Sequence, residues 1–182
     1  MDNGVYVLVD RESGQSILVD APTDPDRIQE LTDGTSVKYL LLTHGDGDHI
    51  QALPEIRRRI GMPVGIHESD AGSLQAPPDF FINDGDVYQF GSSSVRAVHT
   101  PGHTAGSVSL IGEGFVISGD TLFPGGPGNT RRPGGDFQAI IAGIRDKLFV
   151  LPDETKVYPG HGNPTTIGAE KPHLQEWIER GW

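Results

Sequence analysis

One heptapeptide constrains this chain more than any other part of it: Thr43-His44-Gly45-Asp46-Gly47-Asp48-His49. Four side chains able to ligate a metal, His44, Asp46, Asp48 and His49, are crowded into it. An apolar β-type run at 37–42 precedes it, as expected of a strand covered on both faces. After it, Ile50, Leu53, Ile56 and Ile60 recur at helical spacing, so a helix is expected over 50–60, with Pro54 in its first turn. The heptapeptide is therefore a turn between a buried strand and a helix, and Gly45 and Gly47 let it bend tightly. Packed carboxylates and imidazoles repel or desolvate one another unless a cation lies between them. Mixed nitrogen and oxygen donors suit zinc, iron or manganese. Taken locally, a solvated polar loop with two incidental histidines is the competing explanation.

Its weight falls along the rest of the chain, where further donors recur at the ends of β-type runs. Runs at 5–10 and 15–20 form a hairpin pattern, the second ending at Asp20, which could orient a ligand from behind but reads first as an ordinary turn carboxylate. Asp24 and Pro25 start a helix. A short strand at 63–67 ends in His67, read as a hydrogen-bonded structural histidine, and 69–84 reads as loop, with Phe80 and Phe81. A second hairpin at 86–90 and 94–99 leads into His99 and His103 on either side of Pro101-Gly102. His103, at the apex, is the expected donor, and His99 is expected to orient it from behind. The run 115–118 leads to Asp120. A glycine-rich loop at 124–135 carries Arg131 and Arg132, whose bland reading is a solvated loop. Asp136 caps a helix marked by Phe137, Ile140, Ile141, Ile144 and Leu148. A strand at 156–158 leads to His161, and 170–182 reads as a terminal helix.

Composition narrows the partners. A formal net charge of −11 argues against nucleic acid or an anionic membrane surface. The chain has no cysteine, hence no disulfide and no thiolate ligand or nucleophile, which suits a reducing cytosol. No apolar run reaches membrane-spanning length, and Met1 is not followed by a basic-then-apolar export segment. The expectation is one cytoplasmic domain over residues 1–182, acting on a small molecule, with the oligomeric state open.

Four ordered segments, 43–49, 99–107, 118–123 and 158–162, closely resemble the successive motifs of the metallo-β-lactamase-fold hydrolases. The segments 119–123 and 158–166 resemble the glyoxalase II (hydroxyacylglutathione hydrolase-like) branch. The resemblance implies an α+β fold, a four-layer αββα sandwich with metals at one edge between two sheets. It implies two divalent ions, zinc first, with iron or manganese as alternatives. His44, Asp46 and His103 would face one ion, Asp48, His49 and His161 the other, and Asp120 would bridge them. It further implies a nucleophilic water or hydroxide between the ions, which Asp48 helps to orient, and a thioester or other acyl ester as substrate.

The chain departs from the pattern in three places. Asp46 stands where the usual motif has a second histidine. Three aspartates and a hydroxide would then cancel the charge of two divalent ions, giving a less electrophilic site that favours iron or manganese. Gly128-Asn129 replaces the usual Gly-Arg, leaving Arg131 or Arg132 as a candidate clamp for an anionic substrate. The glutathione-contacting helical domain of that branch has no counterpart after residue 182. Two competing functions remain: a persulfide dioxygenase-like iron enzyme using His44, His103 and Asp120, and a metal-impaired binding module.

Overall fold

The structure, a computed structural model, describes residues 3–181. Its first sheet runs in the order β1 (Tyr6–Val9), β2 (Gln15–Val19), β3 (Ser36–Leu41), β4 (Val64–Ile66), β5 (Phe80–Phe81). Only the β1–β2 hairpin is antiparallel; the other neighbours are parallel. The second sheet holds β6 (Val87–Phe90), β7 (Ser93–His99), β8 (Val108–Gly112) and β9 (Phe115–Gly119). A short ribbon of β10 (Leu122–Phe123) and β11 (Gly126–Pro127) follows, and then β12 (Lys156–Pro159) and β13 (Thr165–Thr166) complete the second sheet beyond β9. The helices are α1 (Pro25–Thr32), α2 (Gly47–Ile50), α3 (Leu53–Ile60), α4 (Phe137–Gly143), α5 (Ile167–Glu170) and α6 (Leu174–Arg180).

Strand alternation builds the layers. Ile17 and Val19 of β2 and Leu41 of β3 point one way, into a core shared with Val95, Ala97, Leu110 and Ile117 of the second sheet. Leu18, Leu40 and Leu42 point the other way, against Ile28 of α1 and Leu53 and Ile56 of α3. On the far side, Val98, Val116 and Val157 pack under Ile140, Ile141, Ile144, Leu148 and Trp177. Helices thus cover the outer face of each sheet, which is the expected four-layer αββα sandwich. The apolar stretches 17–19 and 40–42 follow from being covered on both faces, whereas Lys38, within the run expected to be apolar throughout, is exposed.

The structure corrects three expectations about elements. The helix expected over 50–60 is two pieces, α2 and α3, with Pro54 in the first turn of the second. Proline has no N–H to continue a helix, and the break is pinned where the Ala52 N–H donates to the carbonyls of Ala21 and Pro22, 2.9 Å each. The loop expected over 69–84 contains the two-residue strand β5, too short to show a period. The terminal helix is α6, ending at Arg180, and Trp182 lies outside the described residues.

Asp10 ties the two sheets together at the end remote from His44. Its Oδ1 accepts from the Ser13 N–H and hydroxyl (2.9 and 2.7 Å) and its Oδ2 from the hydroxyls of Ser92 and Ser93 (2.8 and 2.9 Å). Those hydrogen bonds, Ser13's first, hold its carboxyl well below the usual carboxylate range. A depressed folded pKa stabilises the fold above the unfolded value and is lost as pH falls through the folded one. Asp10→Ala is therefore expected to lower Tm at neutral pH, with the gap from the parent chain closing as pH falls below about 4. Differential scanning fluorimetry across pH checks this; a gap that widens on acidification contradicts it.

Candidate metal centre

Two of the parallel pairings, β2 with β3 and β9 with β12, bring the carboxyl ends of these strands to one edge of the sandwich. His44 leaves β3, His103 lies in the β7–β8 turn, Asp120 follows β9, and His161 follows β12. Asp48 and His49 sit in α2. The Val108 N–H donates to the Thr43 carbonyl at 2.8 Å, stitching the two sheets together at this edge.

Two groups of donors result: His44, His103 and Asp120, and Asp48, His49 and His161. Within each group, one ligand atom per residue lies within 4.8 Å of the others. Asp120 serves both. Its Oδ2 is 3.6 Å from His103 Nε2 and 3.5 Å from His161 Nε2, and its Oδ1 is 3.4 Å from His49 Nε2. Asp48 Oδ2 lies 3.4 Å from His161 Nε2.

Three of the imidazoles are oriented from behind. His49 Nδ1 donates to Asp20 Oδ2 at 2.9 Å and His103 Nδ1 to the Asn129 carbonyl at 2.9 Å; neither partner can donate, so both protons sit on Nδ1. Thr43 Oγ1 donates to Asp20 Oδ2 at 2.8 Å and so accepts from His44 Nδ1 at 3.0 Å. Each Nε2 is therefore the ring nitrogen left to face the cluster, the one an ion would take on displacing any proton there. Asp20 also accepts the Thr43 N–H on Oδ1 at 2.8 Å. Asp20 thus takes the orienting role, the less expected of the two open to it, rather than that of an ordinary turn carboxylate. The available signal was its position: like Asp120, it follows a strand that ends at this edge.

The donor set fits a cation. His44 Nε2 and Asp120 Oδ1 are buried with no hydrogen-bond partner among the described residues, and such orphans are costly. Burial, then the neighbouring His49, pushes His44 down to about 4. Burial also opposes a charge on His49, yet Asp120 and Asp20 outweigh it and push that imidazole up to about 10, which expresses a demand for positive charge at this point. Burial likewise opposes charge on Asp120, and the imidazoles, His49 foremost, hold its carboxyl below the usual range. Gly160 is needed here: a Cβ on it would meet Asp120 Oδ1 at 2.1 Å and His49 Cε1 at 2.7 Å.

Not every candidate joins. His99 does not orient His103; its ring stacks on His67, centroids 4.1 Å apart, and its Nε2 donates to the Ala105 carbonyl at 2.9 Å. His67 is structural as expected, accepting the Ser69 N–H on Nδ1 at 3.2 Å. Asp46 flanks the first group, with Oδ2 3.1 Å from His103 Nε2 and 3.7 Å from His44 Nε2, and belongs to neither group. Its carboxylate is taken by Arg132, whose Nη1 donates to Oδ2 and Nη2 to Oδ1 at 2.6 Å. Burial opposes its charge, but the neighbouring His103 imidazole and the Arg132 guanidinium hold the carboxyl well below its usual range. Arg132 thus sets a positive charge beside the negative one that Asp46 adds to the expected site. Arg131 is exposed, and its backbone N–H donates to Asn129 Oδ1 at 2.9 Å. A cavity of about 330 Å³ opens beside the pair, lined by Gly45, Asp46, Ser73, Thr104, Arg132 and neighbouring residues.

The family model described as the Metallo-beta-lactamase superfamily matches residues 2–161. The chain belongs to that superfamily. Its members are mostly metal-dependent hydrolases. Among relatives, the hydroxyacylglutathione hydrolase GloC of Haemophilus influenzae is 33% identical, over 80% of this chain and 77% of that protein. Among solved structures, BLEG-1 B3 metallo-beta-lactamase superposes with a TM-score of 0.88 at 29% identity, covering 94% of this chain and 92% of that one. ETHE1 from Myxococcus xanthus superposes at 0.86 with 29% identity, covering 95% and 78%. The mixed sandwich is thus the metallo-beta-lactamase fold. No helix among the described residues is long and apolar enough to cross a membrane.

Proposed function

We propose that residues 1–182 act as one domain, a binuclear metallo-hydrolase that cleaves a thioester or other acyl ester of a small polar substrate. The observation that carries this reading is the pair of donor groups sharing Asp120. His44, His103 and Asp120 would hold one divalent ion, and Asp48, His49, His161 and Asp120 the other. Zinc suits these donors first, with iron or manganese as alternatives. Bound there, the ions supply Lewis acidity toward a carbonyl and lower the pKa of water toward about 7. The protein's own work is orientation. Asp20, Thr43 and the Asn129 carbonyl aim imidazole lone pairs inward, and Asp48, half-exposed at the rim, orients the attacking water. Arg132, held on Asp46, lines the adjoining cavity, where its remaining N–H groups and Arg131 on the same loop are donors for a polar substrate group. The neighbouring Ser73 and Thr104 make that cavity polar, which favours a small hydrophilic acyl group over a long aliphatic one. The similarity to GloC supports the thioester assignment. The acidic chain and its lack of cysteine support a cytoplasmic enzyme without nucleic-acid or membrane partners.

The test is metal-free protein reconstituted with zinc, iron or manganese and assayed on a panel of thioesters, lactones and esters. Two ions per chain with metal-dependent thioester cleavage is the expected result; a folded chain that holds no metal overturns the reading. Because a metal binds only the folded state, chelation is also expected to lower Tm by roughly 5–10 °C, the shift for a site about hundredfold saturated in a chain of this size.

One observation favours a second reading. The first group is two histidines and one carboxylate, the donor set of non-haem iron oxygenases. A persulfide dioxygenase would bind one iron there and consume oxygen with a persulfide. Oxygen uptake with one iron per chain selects that reading, and two ions with ester cleavage selects the first.

A further inference from the structure

We infer that Arg132 is a resident cation of the first donor group that keeps Asp46 off the metal, so that this position is built from His44, His103 and Asp120 alone and fills more weakly than the second. The inference rests on the binuclear reading above and concerns Asp46, where the heptapeptide 43–49 departs from the usual motif.

The geometry is specific. Arg132 engages both oxygens of Asp46, and its Nη1 also lies 3.1 Å from His103 Nε2. That nitrogen is an acceptor, because the His103 proton sits on Nδ1 against the Asn129 carbonyl. One guanidinium thus satisfies two donors that would otherwise face an ion, and a planar fork suits a carboxylate taken on both oxygens. The second group is treated differently. Its carboxylate, Asp48, takes a neutral partner, the Asn3 amide, at 3.1 Å on Oδ2. A divalent cation arriving at the first group meets a guanidinium already in place on both oxygens of Asp46, whereas the carboxylate of the second group takes only a neutral amide. The pair also spans two segments, the turn after β3 and the loop between β11 and α4, so it fixes the cavity wall and the metal position together.

The experiment is a titration of the metal-free full chain with zinc and with cobalt, read by calorimetry, metal content and the cobalt absorption spectrum. The parent chain is expected to bind two ions in separate steps, the constants at least about tenfold apart. Arg132→Gln frees Asp46, so the weaker constant is expected to tighten by about tenfold or more, with a changed cobalt spectrum as a further donor joins. Asp46→His cannot pair with a guanidinium and is expected to tighten the same step, which guards against misfolding of either variant alone. If both variants leave the weaker constant within threefold of the parent, or weaken it, the inference is wrong while the binuclear reading stands. A parent chain that binds its two ions with equal constants overturns the inference as well. A chain that binds no metal in any form overturns both.

Discussion

Asp120→Asn is expected to reduce hydrolysis by at least about 10²–10³-fold, the loss typical of removing one preorganised charge-stabilising group, while the metal-free fold stays intact. The reason lies in what the carboxylate touches. It approaches His49, His103 and His161 at 3.4 to 3.6 Å, so its carboxylate faces both donor groups. Its Oδ1 is buried without a hydrogen-bond partner, which an ion would supply. An amide of the same shape keeps the volume but loses the charge, and its NH₂ can donate to imidazole lone pairs. The metal-free variant should therefore melt within about 3 °C of the parent, less than about 1 kcal/mol for a chain of this size. Metal content should fall below two per chain, and the Tm gain on adding metal should shrink with it. A variant that retains both ions and a tenth or more of the activity would refute the bridging role.

Much of this arrangement is legible in the chain before it folds, and the reasons are local. The apolar run at 37–42, the glycines at 45 and 47 and the helical spacing after them mark a strand, a turn and a helix. His103, Asp120 and His161 each stand just past a β-type run. Strand ends meet at one edge whenever neighbouring strands are parallel, so these positions converge. What stays hidden depends on distance along the chain. Asp20 lies 23 residues from Thr43 and 29 from His49, and nothing adjacent to it distinguishes a turn carboxylate from a histidine's acceptor. His99 stands in sequence where an orienting role behind the ligands is expected, but it closes β7 on the side where His67 lies. Arg131 and Arg132 are neighbours in a glycine-rich loop without a period. Only the folded path of that loop decides which of them reaches Asp46.

Asp20 supplies the other large expected effect, because its two substitutions should separate folding from metal binding. The residue sits at φ +61°, a left-handed conformation that Asn and Asp tolerate far better than alanine. Asp20→Ala strains that turn and strands the buried Thr43 N–H and the His49 Nδ1–H. Removing one partner of a buried polar cluster costs about 3–5 kcal/mol, so Tm should fall by roughly 10 °C or more. Asp20→Asn keeps the turn and an acceptor for the Thr43 N–H. Its amide nitrogen then faces His49 Nδ1, donor against donor. The imidazole relieves this by moving its proton to Nε2, so that Nδ1 accepts from the amide. The nitrogen aimed at His161 and Asp120 then has no lone pair for an ion. Tm of the metal-free Asn variant should stay near the parent value while metal affinity falls about 10–100-fold, the usual effect of losing the partner that orients a ligand. Nitrogen-15 spectra of the histidines report the tautomer directly. A His49 that keeps its proton on Nδ1 in the Asn variant, together with unchanged metal affinity, would show that Asp20 only holds the turn.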